Sequence, residues 1–320
     1  SPPTAAYRLY LQRPRTKMLA LPDSASIFEV GPRDGLQNEP TPIATQHKVE
    51  LVERLSEAGL PYIEVSSFVD PRWIPQLSDA EQVFSAIKPK SGVRYAALVP
   101  NERGLIRAKE SNLDSIAVFI SASETHNRKN LNRAIDESLD NIAAVMDKKG
   151  EGISWVRGYI SMVFGCPYEG EIPLKDVIRV ALRLEELGVD QISLGDTVGY
   201  ANPRQVGERL ASIGSELSLD KIALHFHDTR GTALANIVAG LDSGVRIFDS
   251  AIGGLGGCPY APGAAGNVAT EDLVHMLEGM GVHTGVSLDA LVETARFIEK
   301  SLEKTLPGRY LRATRHQCRN

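Results

Sequence analysis

Eight short runs rich in β-branched and aromatic residues recur along this chain, and after each comes a stretch of helical periodicity. No other feature constrains the fold as strongly, because a strand followed by a crossover helix returns to its sheet as a parallel neighbour. The runs lie near 26–30, 62–66, 94–99, 115–120, 155–161, 191–196, 221–227 and 246–252, with helical patterns over 47–59, 131–150 and 174–188 among those between them. The last two close on a glycine, which suits a helix C-terminus. Eight strand–helix units are the count of a closed (β/α)8 TIM barrel, an α/β fold. A doubly wound open sheet would need a phosphate-binding glycine turn after an early strand, and the sequence has none.

The 320 residues suit one barrel domain over 25–320, with a C-terminal helical extension from about 285 that includes a helix over 287–304. The first 24 residues differ from the rest: Arg8, Arg13, Arg15 and Lys17 precede any acid, and prolines are frequent. A transit peptide shares part of that composition, but the segment reads as a poorly ordered tail outside the fold. A net charge of -5 provides no footprint for nucleic acid or an anionic membrane, and no apolar run is long enough to span a bilayer. Three cysteines, Cys166, Cys258 and Cys318, at unrelated spacings argue for a reducing compartment rather than a disulfide framework.

Barrel enzymes build their sites at the C-terminal ends of the strands, and the chemically capable residues fall there. Arg33 and Asp34 follow the first run, Glu64 lies late in the second, Asp196 ends the sixth, His225 and His227 end the seventh, and Cys258 and Asn267 follow the eighth. His225 and His227, two apart in a strand, point to one face. Strands one, seven and eight are neighbours once a barrel closes, so Asp34 and Asn267 can join them. Two imidazoles, a carboxylate and an amide oxygen suit octahedral Mg²⁺ or Mn²⁺ better than tetrahedral zinc.

Arg33 sits between Pro32 and Asp34, where a guanidinium beside a metal ligand needs a nearby anion, and Glu64 is the candidate to orient it. Asp196 serves equally well as a helix cap or as an active-site residue. The tetrapeptide Gly-Cys-Pro-Tyr occurs at 165–168 and again at 257–260. Only the second copy lies among many glycines, which reads as a closing lid and favours Cys258 over Cys166 as the reactive thiol.

VGPRDGLQNE, IEVSSFVDPRWIPQ, GCPYEG, SLGDT, HFHDTRG and GGLGGCPYAPGAAGNVATEDL together resemble the motifs of the 3-hydroxy-3-methylglutaryl-CoA lyase family of the DRE-TIM metallolyases, from about Ile27 to Val286. The resemblance implies a divalent cation held by Asp34, His225, His227 and Asn267, Arg33 on the thioester oxygen, and Cys258 in proton transfer. It also implies active-site roles for Glu64, Tyr159 and Asp196, and a substrate or CoA groove lined by Gln37 and Asn130. The implied reaction is retro-Claisen cleavage of a 3-hydroxy acyl-CoA to acetyl-CoA and acetoacetate, with His225, assisted by Asp196, as the base. The expected partners are an acyl-CoA and a second copy in a homodimer, with no nucleic acid and no membrane. The expected compartment is the bacterial cytoplasm, or the mitochondrial matrix in a eukaryote.

The chain departs from that pattern at His126 and Arg230, read here as a solvated loop residue and a helix-start charge, and in the segment from Leu302, which lacks the usual basic CoA contact. A longer 3-alkylglutaryl-CoA or citramalyl-CoA therefore stays open as substrate. Two other classes stay open as well: a condensing synthase, which would not need the cysteine lid, and a non-catalytic barrel, which would not need the inward charges.

Overall fold

The computed structural model describes residues 19–258 and 261–314, and of residues 258 and 261–264 the backbone alone. Eight parallel strands form a closed barrel: β1 Ser26–Glu29, β2 Tyr62–Ser67, β3 Arg94–Leu98, β4 Ser115–Ser121, β5 Trp155–Ser161, β6 Gln191–Asp196, β7 Ile222–Phe226 and β8 Ile247–Ser250. Each lies beside its sequence neighbour, and β8 closes on β1 through the register Ser26↔Ile247 to Glu29↔Ser250. The strands stand where the sequence pattern put them, with ends that differ by one or two residues.

Outside the sheet lie α1 Thr45–Glu57, α2 Ala80–Ala86, α3 Glu102–Glu110, α4 Glu124–Leu131, α5 Ile135–Lys148, α6 Leu174–Glu186, α7 Pro203–Ile213 and α8 Ala233–Asp242. α6 shows why these segments are helical: Val177, Val180, Ala181 and Leu184 recur at helical spacing, and all four are buried against the barrel. The single helix expected over 131–150 is instead two. Asn132 takes a left-handed φ of 53° and ends α4, and Glu137 turns back to accept from the backbone N–H of Ala134 at 2.7 Å, starting α5.

After β8 come a hairpin of β9 Gly257–Cys258 and β10 Ala261–Ala265, then α9 Thr270–Gly279, α10 Leu288–Leu302 and α11 Arg309–Ala313. The glycine-rich segment expected as a loop is thus partly an antiparallel ribbon. Of the tail expected over 1–24, residues 1–18 lie outside the described residues. In the remainder, Ser24 bridges to His283 and the backbone N–H of Ala20 donates to Asp242 at 2.9 Å.

The barrel interior is layered, because alternate residues of each strand point inward. At the N-terminal end Phe28, Tyr62 and Trp155 stack, with ring centroids 5.5 to 6.2 Å apart. Two residues further along β5, Arg157 lays its guanidinium 3.8 Å from the Phe28 ring. Two further still, Tyr159 packs with Leu98 and Ala117 below the mouth. A layer usually filled by Val, Ile and Leu is therefore ionic here. A wide cleft lined by Pro61, Val93 and Asp114 lies at the N-terminal strand ends, away from that mouth.

Candidate active site and metal centre

The turn that follows β1 sets the first group of residues. The Val30 carbonyl accepts from the backbone N–H groups of Arg33, Asp34 and Gly35, winding Gly31–Gly35 into one wide turn with Pro32 as its second residue. Gly35 is required there, since a Cβ would stand 2.7 Å from the Leu255 Cβ. The turn aims Arg33 into the barrel mouth. Its Nε donates to Glu64 at 2.7 Å, its Nη1 donates to Asp34 at 2.9 Å and to Gln37 at 3.4 Å, and the guanidinium lies 5.5 Å from the Tyr159 ring centre. Burial alone would lower the Arg33 pKa, but Glu64 and Asp34 outweigh it and raise the value, so the cation is permanent. Tyr159 donates its hydroxyl to the same Glu64 oxygen at 3.1 Å.

Asp34 also faces the histidines. His225 Nε2 and His227 Nε2 lie 3.9 and 4.0 Å from one Asp34 oxygen, and potential ligand atoms of the three residues all fall within 4.8 Å of one another. Burial would raise the Asp34 carboxyl, but Arg33 and then the two imidazoles hold it well below the usual carboxylate range. Burial pushes His227 down to about 3, so its ring is neutral and carries a lone pair at physiological pH. Neither ring nitrogen of this buried His227 has a hydrogen-bond partner. A buried imidazole without partners beside a carboxylate is the condition a divalent cation relieves, and these residues fit one. Asn267 stands alongside: its Nδ2 donates to Asp34 at 2.8 Å and to the Leu255 carbonyl at 3.2 Å. The approach needs Gly256, whose φ is +97° and whose Cβ would meet Asn267 at 2.9 Å.

The sequence-predicted residues thus divide. Arg33, Asp34, Gln37, Glu64, Tyr159, His225, His227 and Asn267 converge at one rim. Asp196 is fully buried, but its carboxylate accepts from the backbone N–H groups of Tyr200 and Ala201 at 2.9 and 2.8 Å, so its bonds shape the turn after β6. The carboxylate beside His225 is instead Asp249, 3.1 Å from Nδ1. Asn130 is exposed on α4 and joins none of these bonds. The Cys258 side chain lies outside the described residues. Cys166 is buried and donates its thiol to Ser123 at 3.1 Å.

Two readings of the departures need correction. His126 is not solvated but buried on α4, with Nδ1 3.0 Å from Ser121 Oγ, and burial takes its pKa down to about 4. Arg230 is more than a helix-start charge, since it donates to the Val198 carbonyl at 2.7 Å and lies over the Tyr200 ring. Sequence reasoning also missed Arg157 and Asp249. Each is a charged residue at an inward-facing parity of a barrel strand, and that parity was the signal available.

A closed parallel barrel with a guanidinium at its C-terminal rim, beside an Asp-His-His cluster whose ligand atoms could hold a metal ion, has the architecture of a barrel enzyme. Residues 24–298 match the HMGL-like family, and the chain belongs to it. It is 52% identical over 290 residues to a hydroxymethylglutaryl-CoA lyase of Bacillus subtilis, covering 91% of this chain and 97% of that protein. It is 46% identical to a 3-hydroxy-3-isohexenylglutaryl-CoA/hydroxymethylglutaryl-CoA lyase of Pseudomonas aeruginosa, over 92% and 98% of the two chains. A solved structure of an HMG-CoA lyase from Acinetobacter baumannii, in complex with coenzyme A and 3-methylmalate, superposes with a TM-score of 0.88 at 40% identity, over 93% of this chain and 97% of that one.

Proposed function

We propose that this chain is a hydroxymethylglutaryl-CoA lyase, cleaving 3-hydroxy-3-methylglutaryl-CoA to acetyl-CoA and acetoacetate. The observation that carries the reading is the convergence of Arg33 with Asp34, His225 and His227 at one rim, in a chain whose relatives of that name match it nearly end to end.

Asp34, His225 and His227, with Asn267 after a turn of its amide, would hold the cation, and the mixture of oxygen and nitrogen donors favours Mg²⁺ or Mn²⁺. When bound, the cation supplies Lewis-acid activation of the substrate hydroxyl and charge neutralisation. In the cleavage the hydroxyl gives up its proton to His225, the C2–C3 bond breaks, and its electron pair becomes the enolate of acetyl-CoA, which then takes a proton at carbon. Arg33 stabilises the enolate oxygen, because Glu64 and Tyr159 already hold the guanidinium in place and it need not reorganise as charge develops. Cys258 delivers the proton to carbon from the glycine-rich segment. Gln37 sits against Arg33 and with Asn130 contacts the acyl-CoA. Asp196 acts through the turn after β6 that its carboxylate holds.

We read residues 25–320 as one catalytic unit that works as a homodimer in the cytoplasm; among the described residues no helix is long and apolar enough to cross a membrane. The test is to incubate the full-length protein and Mg²⁺ with a panel of 3-hydroxy acyl-CoAs, including 3-alkylglutaryl-CoAs with longer branches, and to follow free acetyl-CoA. Release from 3-hydroxy-3-methylglutaryl-CoA that stops on chelation and returns with Mg²⁺ supports the reading. Failure of the metal-loaded protein to cleave it, or full activity without metal, overturns it.

A further inference from the structure

Arg157 and Asp249 face each other across the barrel interior from β5 and β8, both fully or almost fully buried. Arg157 Nη2 donates to Asp249 Oδ1 at 2.5 Å and Nη1 donates to the Tyr159 hydroxyl at 3.1 Å, while the other Asp249 oxygen receives Ser193 Oγ at 3.0 Å and lies 3.1 Å from His225 Nδ1. A buried ion pair contributes little net stability, since apolar residues of similar volume serve as well or better. What such a pair supplies is direction. An ionised carboxylate can only accept, so His225 must donate from Nδ1, and in the neutral ring that a metal ligand requires this leaves Nε2 bare and aimed at Asp34. No equivalent bond exists for His227, whose ring nitrogens lack partners.

We propose that Asp249, held by Arg157, is a positioning residue for the cation site: it fixes the tautomer and ring orientation of His225, so that one imidazole is preset to ligate while the other is not. The same Arg157 reaches through Tyr159 to Glu64 and so to Arg33, joining the ligand His225 and the catalytic cation in one hydrogen-bonded chain. The inference rests on the metal-centre reading and adds to it the group that sets affinity.

Asp249→Asn is the informative substitution. Arg157 would claim the amide oxygen and turn the amide NH2 toward His225 Nδ1, a donor against a donor, which drives the ring to the Nε2–H tautomer. The experiment has two readouts on the full-length, metal-free protein. Long-range ¹H–¹⁵N correlation, with His225 assigned through His225→Gln, reports which ring nitrogen carries the proton. Titration with Mn²⁺ followed by electron paramagnetic resonance reports affinity. The wild type should show Nδ1–H at His225, and Asp249→Asn should bind Mn²⁺ about 10- to 100-fold more weakly. Ser193→Ala, which removes another partner of the same carboxylate without touching His225, should stay within about threefold, separating orientation of His225 from general loosening of the barrel. Wild-type protein that does not bind Mn²⁺ refutes the metal centre itself. A wild type that binds Mn²⁺ yet carries its proton on Nε2, or a folded Asp249→Asn with undiminished affinity, overturns the role of Asp249 alone. If Asp249→Asn does not fold, the wild-type tautomer decides.

Discussion

Glu271, in the first turn of α9, should make the protein less stable as pH rises, and the size of the effect follows from its surroundings. The carboxyl is fully buried. Oε2 accepts from the Gly253 N–H at 2.9 Å, and Oε1 has no hydrogen-bond partner. Burial raises its pKa from the ordinary 4.5 to about 8, against the opposing pull of backbone N–H groups and with help from Asp272 and Glu29. The native state therefore keeps this proton over a range in which the unfolded chain has released it. Its stabilising contribution is complete below pH 4.5 and is lost as pH rises through about 8. Each pH step over which the two states differ by one bound proton removes about 1.4 kcal/mol, so roughly 3 kcal/mol disappears between pH 5.5 and 8.5, equivalent to about 5 °C in the midpoint of a chain this size. Glu271→Gln stays neutral at every pH and keeps an acceptor for Gly253, so it should lack that loss. Glu29, raised to about 7 by burial, contributes in the same direction, and His227, lowered to about 3 by burial, contributes in the opposite direction below its unfolded pKa. Both are present in either protein, so the comparison isolates Glu271 together with its coupling to Glu29. Calorimetric midpoints of wild type and Glu271→Gln at the two pH values provide the measurement. Equal losses in the two proteins would refute the reasoning.

Three further outcomes are expected. Arg33→Gln should lower kcat by a factor of about 100 or more, since removing a charge-stabilising donor from a closed site costs about 3 kcal/mol; steady-state kinetics on protein shown by circular dichroism to be folded checks it, and near-normal turnover refutes it. Cys258→Ala should abolish most turnover with little change in KM, whereas Cys166→Ala, which loses a buried bond to Ser123, should lose about 1–2 kcal/mol of stability and keep kcat within a few-fold; kinetics paired with melts separates the two cysteines, and an active Cys258→Ala defeats the assignment. Gly35→Ala should cost about 1–3 kcal/mol, because its Cβ would stand 2.7 Å from Leu255 Cβ, and should also weaken Mn²⁺ binding by displacing the neighbouring Asp34; a variant with wild-type midpoint and affinity would show that the turn yields freely.

The barrel and much of its rim could be read from local pattern. Eight strand–helix alternations leave few ways to close a sheet, and the spacing of His225 and His227 puts both rings on one face whatever surrounds them. Glu64 against Arg33 was legible too, since strand parity turns Glu64 inward on β2 and Arg33 follows the adjacent β1. Other matters depended on what the closed barrel brings together. Asp196 and Asp249 are both inward or rim carboxylates by sequence, and nothing local tells which one serves His225. The first is spent on the backbone N–H groups of its own turn, and closure sets the second between Arg157 and the imidazole. The same holds for His126, whose burial comes from α4 folding over the end of β4, and for the break at Asn132, a left-handed residue inside an unbroken helical pattern. Periodicity reports which face a residue occupies. A hydrogen-bond partner 92 positions away, as Asp249 is for Arg157, exists only once the eighth strand has closed on the first.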